Sequence, residues 1–356
     1  MGTQDSQEKV LKTMPARDVR GLVTQDNVEY SIDEQTIVAQ GGMAVIRRGE
    51  CIINGQHIPA IFKEARPNWN NPSSSEYAAV EHKLRNEARF LSALTYSCQN
   101  TEHFPRYLGY FTSHSGVSYL AMEVINGDTL DNDLKDGKAL KLFDAVVYAY
   151  QIAQALVWCH LATNEEGKPN PIFHKDVTPK NIMITRGSYH ATLIDFGASF
   201  SEGISTGATM PFVTHTHAAP VSVTGAAEDI WQLGVTLFVM VTGVYPFDKS
   251  PYSEDRLDYE DLNYDALIEA NIPTELINVI LKALESSRRY QYKSMADFRD
   301  DLGNVLKSLP MDPDFAAWMN SEQSQVPICL QKLFPDNITR PEKTRPVGSK
   351  TRPVGA

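Results

Sequence analysis

Cysteine is scarce in this chain: Cys51, Cys98, Cys159 and Cys329 are spread over 356 positions with no CxxC pair among them. That spacing suggests neither a disulfide framework nor a thiolate zinc site, and four reduced thiols fit a cytoplasmic protein. Long apolar runs are missing too. The N-terminal MGTQDSQEKVLKTMPARD has no run of signal-peptide length, and the most apolar stretch, VTLFVMV at 235–241, is too short to cross a bilayer, so no membrane span is expected. A basic surplus is also lacking. Lys and Arg number 33 against 44 Asp and Glu, and the formal charge of −11 excludes a general nucleic-acid surface. What remains, 42% hydrophobic and 22% charged residues, is the composition of a folded globular chain.

Residues 1–25 are polar and unpatterned and are expected as a flexible leader. From TIVAQGGMAVIRRGECIINGQHIPAIFKEA the chain reads as short apolar strands broken by glycine turns, with Asn54-Gly55 as a hairpin signal. Leu84, Ala88, Leu91 and Leu94 then follow helical spacing, and YLGYFTSHSGVSYLAMEVI returns to strand alternation. Beyond Gly127 the texture is helical: Leu142, Val146, Ala149, Ile152, Ala153, Leu156 and His160 form one stripe, and DIWQLGVTLFVMVTG, TELINVILKALE and MADFRDDLGNVLKSL read the same way. The expected class is α+β, with a small antiparallel N-lobe carrying one helix (26–125), a larger helical C-lobe (126–308) and a C-terminal extension (309–356). That extension is proline-spaced, carries Thr-Arg-Pro at Thr339, Thr344 and Thr351, and lacks the apolar content to fold alone.

Phosphoryl transfer needs a cover over the phosphates, a cation to hold them, ligands for magnesium and a carboxylate beside the acceptor hydroxyl. Candidates for each occur in order. AQGGMAVI at 39–46 is a glycine turn between strands, and Lys63 in AIFKEA ends a strand. Glu87 lies on the following helix at a separation of 87 − 63 = 24, with Glu81 as the alternative partner on the same helix. HKDVTPKN at 174–181 sets Asp176 five positions before Asn181, and IDFG at 194–197 adds Asp195. Each piece alone has a plain reading, the turn as a hairpin and the lysine as solvated surface. Together, over about residues 30–308, they resemble the protein kinase superfamily, most closely the bacterial serine/threonine kinases related to the eukaryotic ones.

The resemblance implies a bilobal protein kinase fold and transfer of the γ-phosphoryl group of ATP, with Mg2+, to Ser or Thr hydroxyls of a protein substrate, including autophosphorylation. It implies that Asp176 orients the acceptor, that Lys63 paired with Glu87 holds the α and β phosphates, and that Lys180 stabilises phosphate charge. Asn181 and Asp195 would hold the metal, and Thr214 would contact Asp176 from the substrate side. Gly41 and Gly42 would cover the phosphates. Adenine would lie against Val38, Ile46, Ile61 and Met183, with Met122 guarding the back pocket and the backbone of Glu123 and Ile125 bonding the base edge. Core packing is the alternative account of these apolar residues.

Departures from the family pattern are specific. Ala39 and Ala44 replace the outer glycines of the phosphate loop, which narrows its backbone freedom. Thr178 stands where Ser/Thr members carry lysine, and Lys180 brings the charge instead, as in tyrosine-directed relatives, while bacterial kinases with Ser or Thr at the position of Thr178 make the variation compatible with Ser/Thr specificity too. Lys175 replaces an arginine whose fork grips an activation-loop phosphate, a geometry lysine cannot reproduce. Val221 replaces the glutamate after Pro220, so Arg289 is expected to make a solvated or rerouted contact, while Asp229, Trp231 and Gly234 keep the bracing helix. A nucleotide-binding pseudokinase scaffold and a small-molecule phosphotransferase are the competing readings. His215 and His217 form an HxH pair without a third ligand, and His174 reads as a backbone-bonding structural residue. Val347 and Val354 follow Thr344 and Thr351 by three positions, a pattern that an FHA-type phosphothreonine reader accepts.

Overall fold

The computed structural model describes residues 10–11, 28–40, 44–66, 74–97, 102–113, 116–164, 166–201, 217–220, 222–247, 262–321 and 325–335. Gly41, Gly42, Cys98, Thr214, His215, Val221 and the Thr-Arg-Pro repeats lie outside them. The N-lobe is a six-stranded antiparallel sheet built from β1 (Val10–Leu11), β2 (Val28–Gln40), β3 (Ala44–Ile53), β4 (Gln56–Ala65), β5 (Tyr107–Thr112) and β6 (Ser118–Glu123), in the order β1-β2-β3-β4-β6-β5. β1 comes from the stretch expected as a flexible leader and pairs with β2 through Val10 and Ser31. The turn between β3 and β4 sits on Asn54 (φ 52°) and Gly55 (φ 77°), two consecutive left-handed residues that match the twist of a tight hairpin.

Period-two alternation divides the sheet into two faces. Ile46 pairs with Lys63, and Ile61 with Met122, so these residues share the face over which α1 (Ser74–Ser97) runs. The opposite face carries a buried aromatic group in which Tyr30 stacks on Phe111 at 4.2 Å and Phe111 on Tyr119 at 5.3 Å, with Phe62 edge-on. α1 is anchored on its far side by Glu81, which accepts hydrogen bonds from Arg85 (2.6 Å), Ser118 (3.2 Å) and Tyr110 (3.4 Å). Glu81 is therefore committed to holding the helix against the sheet.

The C-lobe follows β6 through β7 (Gly127–Thr129), α2 (Leu130–Asp133), α3 (Leu142–His160), β8 (Ile182–Thr185), β9 (Ala191–Leu193), α4 (Ala226–Thr242), α5 (Tyr264–Glu269), α6 (Thr274–Ala283) and α7 (Met295–Ser308). β7, β8 and β9 form a small sheet at the lobe junction. Helix α3 is buried well beyond the single stripe expected for it. By length and composition it could cross a bilayer, but 78% of its most apolar window is buried inside the lobe, where that apolarity builds the core. Gly234 lets α4 approach α6, since a Cβ there would lie 2.9 Å from the Ala283 Cβ.

The first half of the C-terminal extension is folded. α8 (Pro313–Met319) begins at Asp312, whose carboxylate accepts the Asp314 and Phe315 N–H groups, and α9 (Ile328–Leu333) follows. Contrary to the lack of apolar content expected of the extension, this stretch carries apolar residues of its own, and it docks because Phe315, Met319, Val326, Leu330 and Phe334 are buried in the C-lobe core cluster. Phe315 meets Phe143 at 5.0 Å and Tyr189 at 5.1 Å.

Candidate active site

Three backbone segments converge between the lobes, and α4 suspends the central one. Asp229 is fully buried and accepts N–H bonds from His174 (3.0 Å) and Lys175 (2.7 Å) and a contact from His160 Nε2 at 2.8 Å. One turn on, Gln232 accepts the Val177 N–H (2.9 Å) and donates to the Lys175 carbonyl (2.8 Å), and the Thr236 hydroxyl donates to the Val177 carbonyl (2.9 Å). The loop around Asp176 thus has its buried backbone groups satisfied by side chains, as buried polar groups require. Gln232, Thr236 and His160 were not anticipated. The signal for Gln232 and Thr236 was the polar residues 229, 232 and 236 on one face of a largely apolar helix.

Asp176 lies at the mouth of this loop. The Asn181 Nδ2 donates to the Asp176 backbone carbonyl (2.9 Å) and to its Oδ2 (2.7 Å), locking the two residues together. The Ile194 N–H donates to the Asn181 carbonyl (2.8 Å), which ties the loop to the segment that delivers Asp195. Asp195 is left-handed (φ 62°, ψ 83°), held by the Gly197 N–H on its Oδ1 at 3.0 Å. Left-handed non-glycine residues collect at sites where the surroundings hold them in place.

Lys63 joins the lobes. Its Nζ lies 2.8 and 3.0 Å from the two oxygens of Glu87 and 2.8 Å from Asp195 Oδ1. The expected partner on α1 is therefore Glu87. Burial opposes the charge on Lys63, but the two carboxylates outweigh it and its pKa rises. One ammonium cannot fully compensate two carboxylates. Burial pushes Glu87 up to about 7 against the pull of Lys63, while Asp195, whose side chain is 46% exposed, is held below the usual carboxylate range by Lys63 against a partial loss of solvation.

A cleft of about 590 Å³ opens onto this network. Ile46, Ala39 and Ala44 line it from the sheet, Val80, Lys83, Leu84 and Glu87 from α1, and Asp176, Lys180 and Asp195 from below. Lys180 is exposed and reaches the cleft, whereas Thr178, where the family pattern has lysine, is buried. Of the expected adenine contacts only Ile46 lines this cavity; Ile61, Met122, Glu123, Ile125 and Met183 do not, because the cavity runs toward α1. Val38 is 44% exposed on β2 and also lies outside it. The wall contributions of Lys83 and Leu84 were not anticipated.

The remaining expected residues have plain roles. His174 is buried, with Nε2 3.2 Å from the Ile194 carbonyl and Nδ1 accepting the Asp176 N–H at 3.3 Å, which is a backbone-bonding role. Lys175 is turned to Glu228 (3.7 Å) and lies over the Phe200 ring. Arg289 is exposed beside the Tyr290 ring, in keeping with a rerouted contact. His217 is buried edge-on to Tyr245, and burial drives its pKa down to about 3.

Two oxygens suit a hard cation. Asn181 spends its amide hydrogens on Asp176, leaving Oδ1, and Asp195 keeps Oδ2 beside its bonded Oδ1. Among the described residues no group of three His, Cys, Asp or Glu could hold a metal. A magnesium ion, which commonly binds one or two protein oxygens together with substrate phosphates, fits this sparse donor set.

Comparison with known proteins agrees with this geometry. The sequence matches the protein kinase domain over residues 66–296. The chain belongs to the protein kinase family. Within the family it is 28% identical over 221 residues to a probable serine/threonine-protein kinase of Clostridium acetobutylicum, covering 59% of this chain and 32% of that protein. It is 23% identical to the probable serine/threonine-protein kinase PknB of Lactococcus lactis, over 88% of this chain and 47% of that one. The tyrosine-protein kinase MasK of Myxococcus xanthus is 25% identical over 76% of this chain and 42% of its own length. The chain thus spans about a third to a half of these relatives. The kinase fold is shared with the crystal structure of Rad53 1-466 in complex with AMP-PNP, at a TM-score of 0.56 and 20% identity over 76% of this chain and 64% of that one.

Proposed function

We propose that this chain transfers the γ-phosphoryl group of ATP to Ser or Thr hydroxyls of a protein substrate. The observation that carries the reading is the bridge of Lys63 to both Glu87 and Asp195 in the cleft that Asp176 and Lys180 also line. The acceptor oxygen attacks the γ phosphorus, the bond from that phosphorus to the β–γ bridging oxygen breaks with its electron pair leaving on ADP, and the acceptor proton passes to Asp176. Lys63 and Lys180 offset charge on the phosphate oxygens. Asn181 and Asp195 would hold magnesium, which would supply further neutralisation of phosphate charge. The Ser/Thr preference is supported by the names of the Clostridium and Lactococcus relatives.

Incubation of the full chain with Mg-ATP, followed by intact mass beside an Asp195→Ala control, tests the reading. Phosphate steps in the parent alone, on Ser or Thr, are the expected outcome and include autophosphorylation. Absence of steps despite stabilisation by ATP leaves a nucleotide-binding scaffold. Thr344 and Thr351, outside the described residues, are the acceptors through which an FHA-type reader would dock, and site mapping in the same experiment decides that point.

A further inference from the structure

Residues 325–335 lie beyond the segment that matches the kinase domain, yet they grip the loop between α1 and β5. The Ile328 N–H donates to Glu102 Oε2 at 2.9 Å. The next residue, Cys329, is buried with its Sγ 3.4 Å from His103 Nε2. Donor and acceptor roles are consistent along this chain of contacts. His103 Nδ1 lies 3.1 Å from the Ala191 carbonyl, where it can only donate, so Nε2 accepts from the Cys329 thiol. Burial keeps both groups neutral, taking the imidazole down to about 3 and the thiol up to about 12.

The other side of the loop is tied to the segment that delivers Asp195. The Leu193 N–H donates to the His103 carbonyl at 2.9 Å, and His190 Nε2 lies 2.6 Å from the Glu102 carbonyl. The Phe104 ring meets Phe196, the residue after Asp195, at 5.8 Å. Glu102, His103 and Phe104 therefore touch α9 on one side and β9 with Phe196 on the other, a few residues after the helix that carries Glu87.

We propose that α9 is a positioning element: through Glu102 and His103 it holds the α1–β5 loop against β9, and so keeps Glu87 and Asp195 together on Lys63. The catalytic consequence rests on the phosphotransfer reading, whereas the positioning itself does not. Coupling of this kind travels through contiguous bonded and packed groups, which here are continuous from Ile328 to Phe196.

The sharpest test is Ile328→Pro. Position 328 opens α9, where proline is tolerated, and Pro327 before it already has φ −54° and ψ 141°, so the change removes the N–H and replaces a 41% exposed Ile side chain by a smaller apolar ring without backbone conflict. Glu102→Ala removes the acceptor, and Cys329→Ala and Cys329→Ser separate loss of the donor from its retention. Amide exchange is followed without nucleotide on the full chain, beside kcat and KM for ATP. Ile328→Pro and Glu102→Ala should each speed exchange at Leu193 and in α1 roughly 3- to 10-fold, the range of one hydrogen bond. They should lower kcat/KM by a similar factor while α6 is unchanged. The double variant should be no worse than either single, and Cys329→Ser should stay nearer the parent than Cys329→Ala. Additive effects, equal acceleration in α6, or no change at Leu193 and α1 would each overturn the proposal. A parent chain without phosphotransfer would sink the kinase reading, and the exchange rates would still decide the positioning.

Discussion

Glu87 and Asp195 compete for one ammonium, so at the residue scale their ionisation is set by burial and by each other. Asp176 is the residue whose loss should matter most: Asp176→Asn is expected to lower turnover by roughly two to four decades, the range for a positioned general base, with binding of ATP retained in a direct binding assay. Glu228 offers a pH test outside the cleft. Burial pushes it up to about 7 despite Lys175 at 3.7 Å. A carboxyl whose folded pKa is raised holds its proton better when folded, so this contribution to stability is full below the unfolded value of 4.5 and is lost as pH rises through about 7. Glu228→Gln removes that titration, and its melting temperature should fall less than the parent's between pH 5 and 8. Lys63, Glu87, Asp176, Asn181 and Asp195 were legible in the sequence because each sits in a short motif with fixed spacing. Glu87 was the expected partner and Glu81 the alternative; what the sequence did not show is what Glu81 does instead, which the sheet contacts of Ser118 and Tyr110 reveal.

At the scale of elements, α4 is both core and scaffold. Its apolar face packs the C-lobe, and its polar residues at 229, 232 and 236 hold the loop that carries Asp176. Asp229→Asn retains the shape but presents an amide to backbone N–H groups that need an acceptor. Breaking such a buried charged contact costs roughly 3–5 kcal/mol, and denaturant melts should register it. Gly234→Ala sets a Cβ against Ala283 at 2.9 Å, and overpacking of this kind costs about 1–3 kcal/mol. The helix itself was evident from its apolar run. The use of its polar face was not, because the hydrogen-bond partners lie 54 to 69 positions away.

At the scale of the molecule, two lobes meet through Lys63 on one side and the Asn181 and Asp195 segments on the other. A ligand that binds this cleft only in the folded chain stabilises it by mass action, by about 2.7 kcal/mol at a hundredfold excess over its Kd. Mg-ATP should therefore raise the melting temperature of the parent and leave that of Lys63→Ala nearly unmoved, as read by thermal unfolding. The extension extends the folded unit past the kinase domain, since α8 and α9 complete the core around Phe143 and Tyr189.

By itself the sequence determined the lobe order, the hairpin at Asn54-Gly55, the helical faces and the motif residues, because each depends on local spacing that sheet and helix periodicity translate directly into position. Only the tertiary structure decided what Glu81 does while Glu87 meets Lys63, how α4 holds the catalytic loop, and that α8 and α9 dock. These depend on partners far away in the chain, and a short segment, even one with apolar residues of its own, gains a fold only when another surface completes its core.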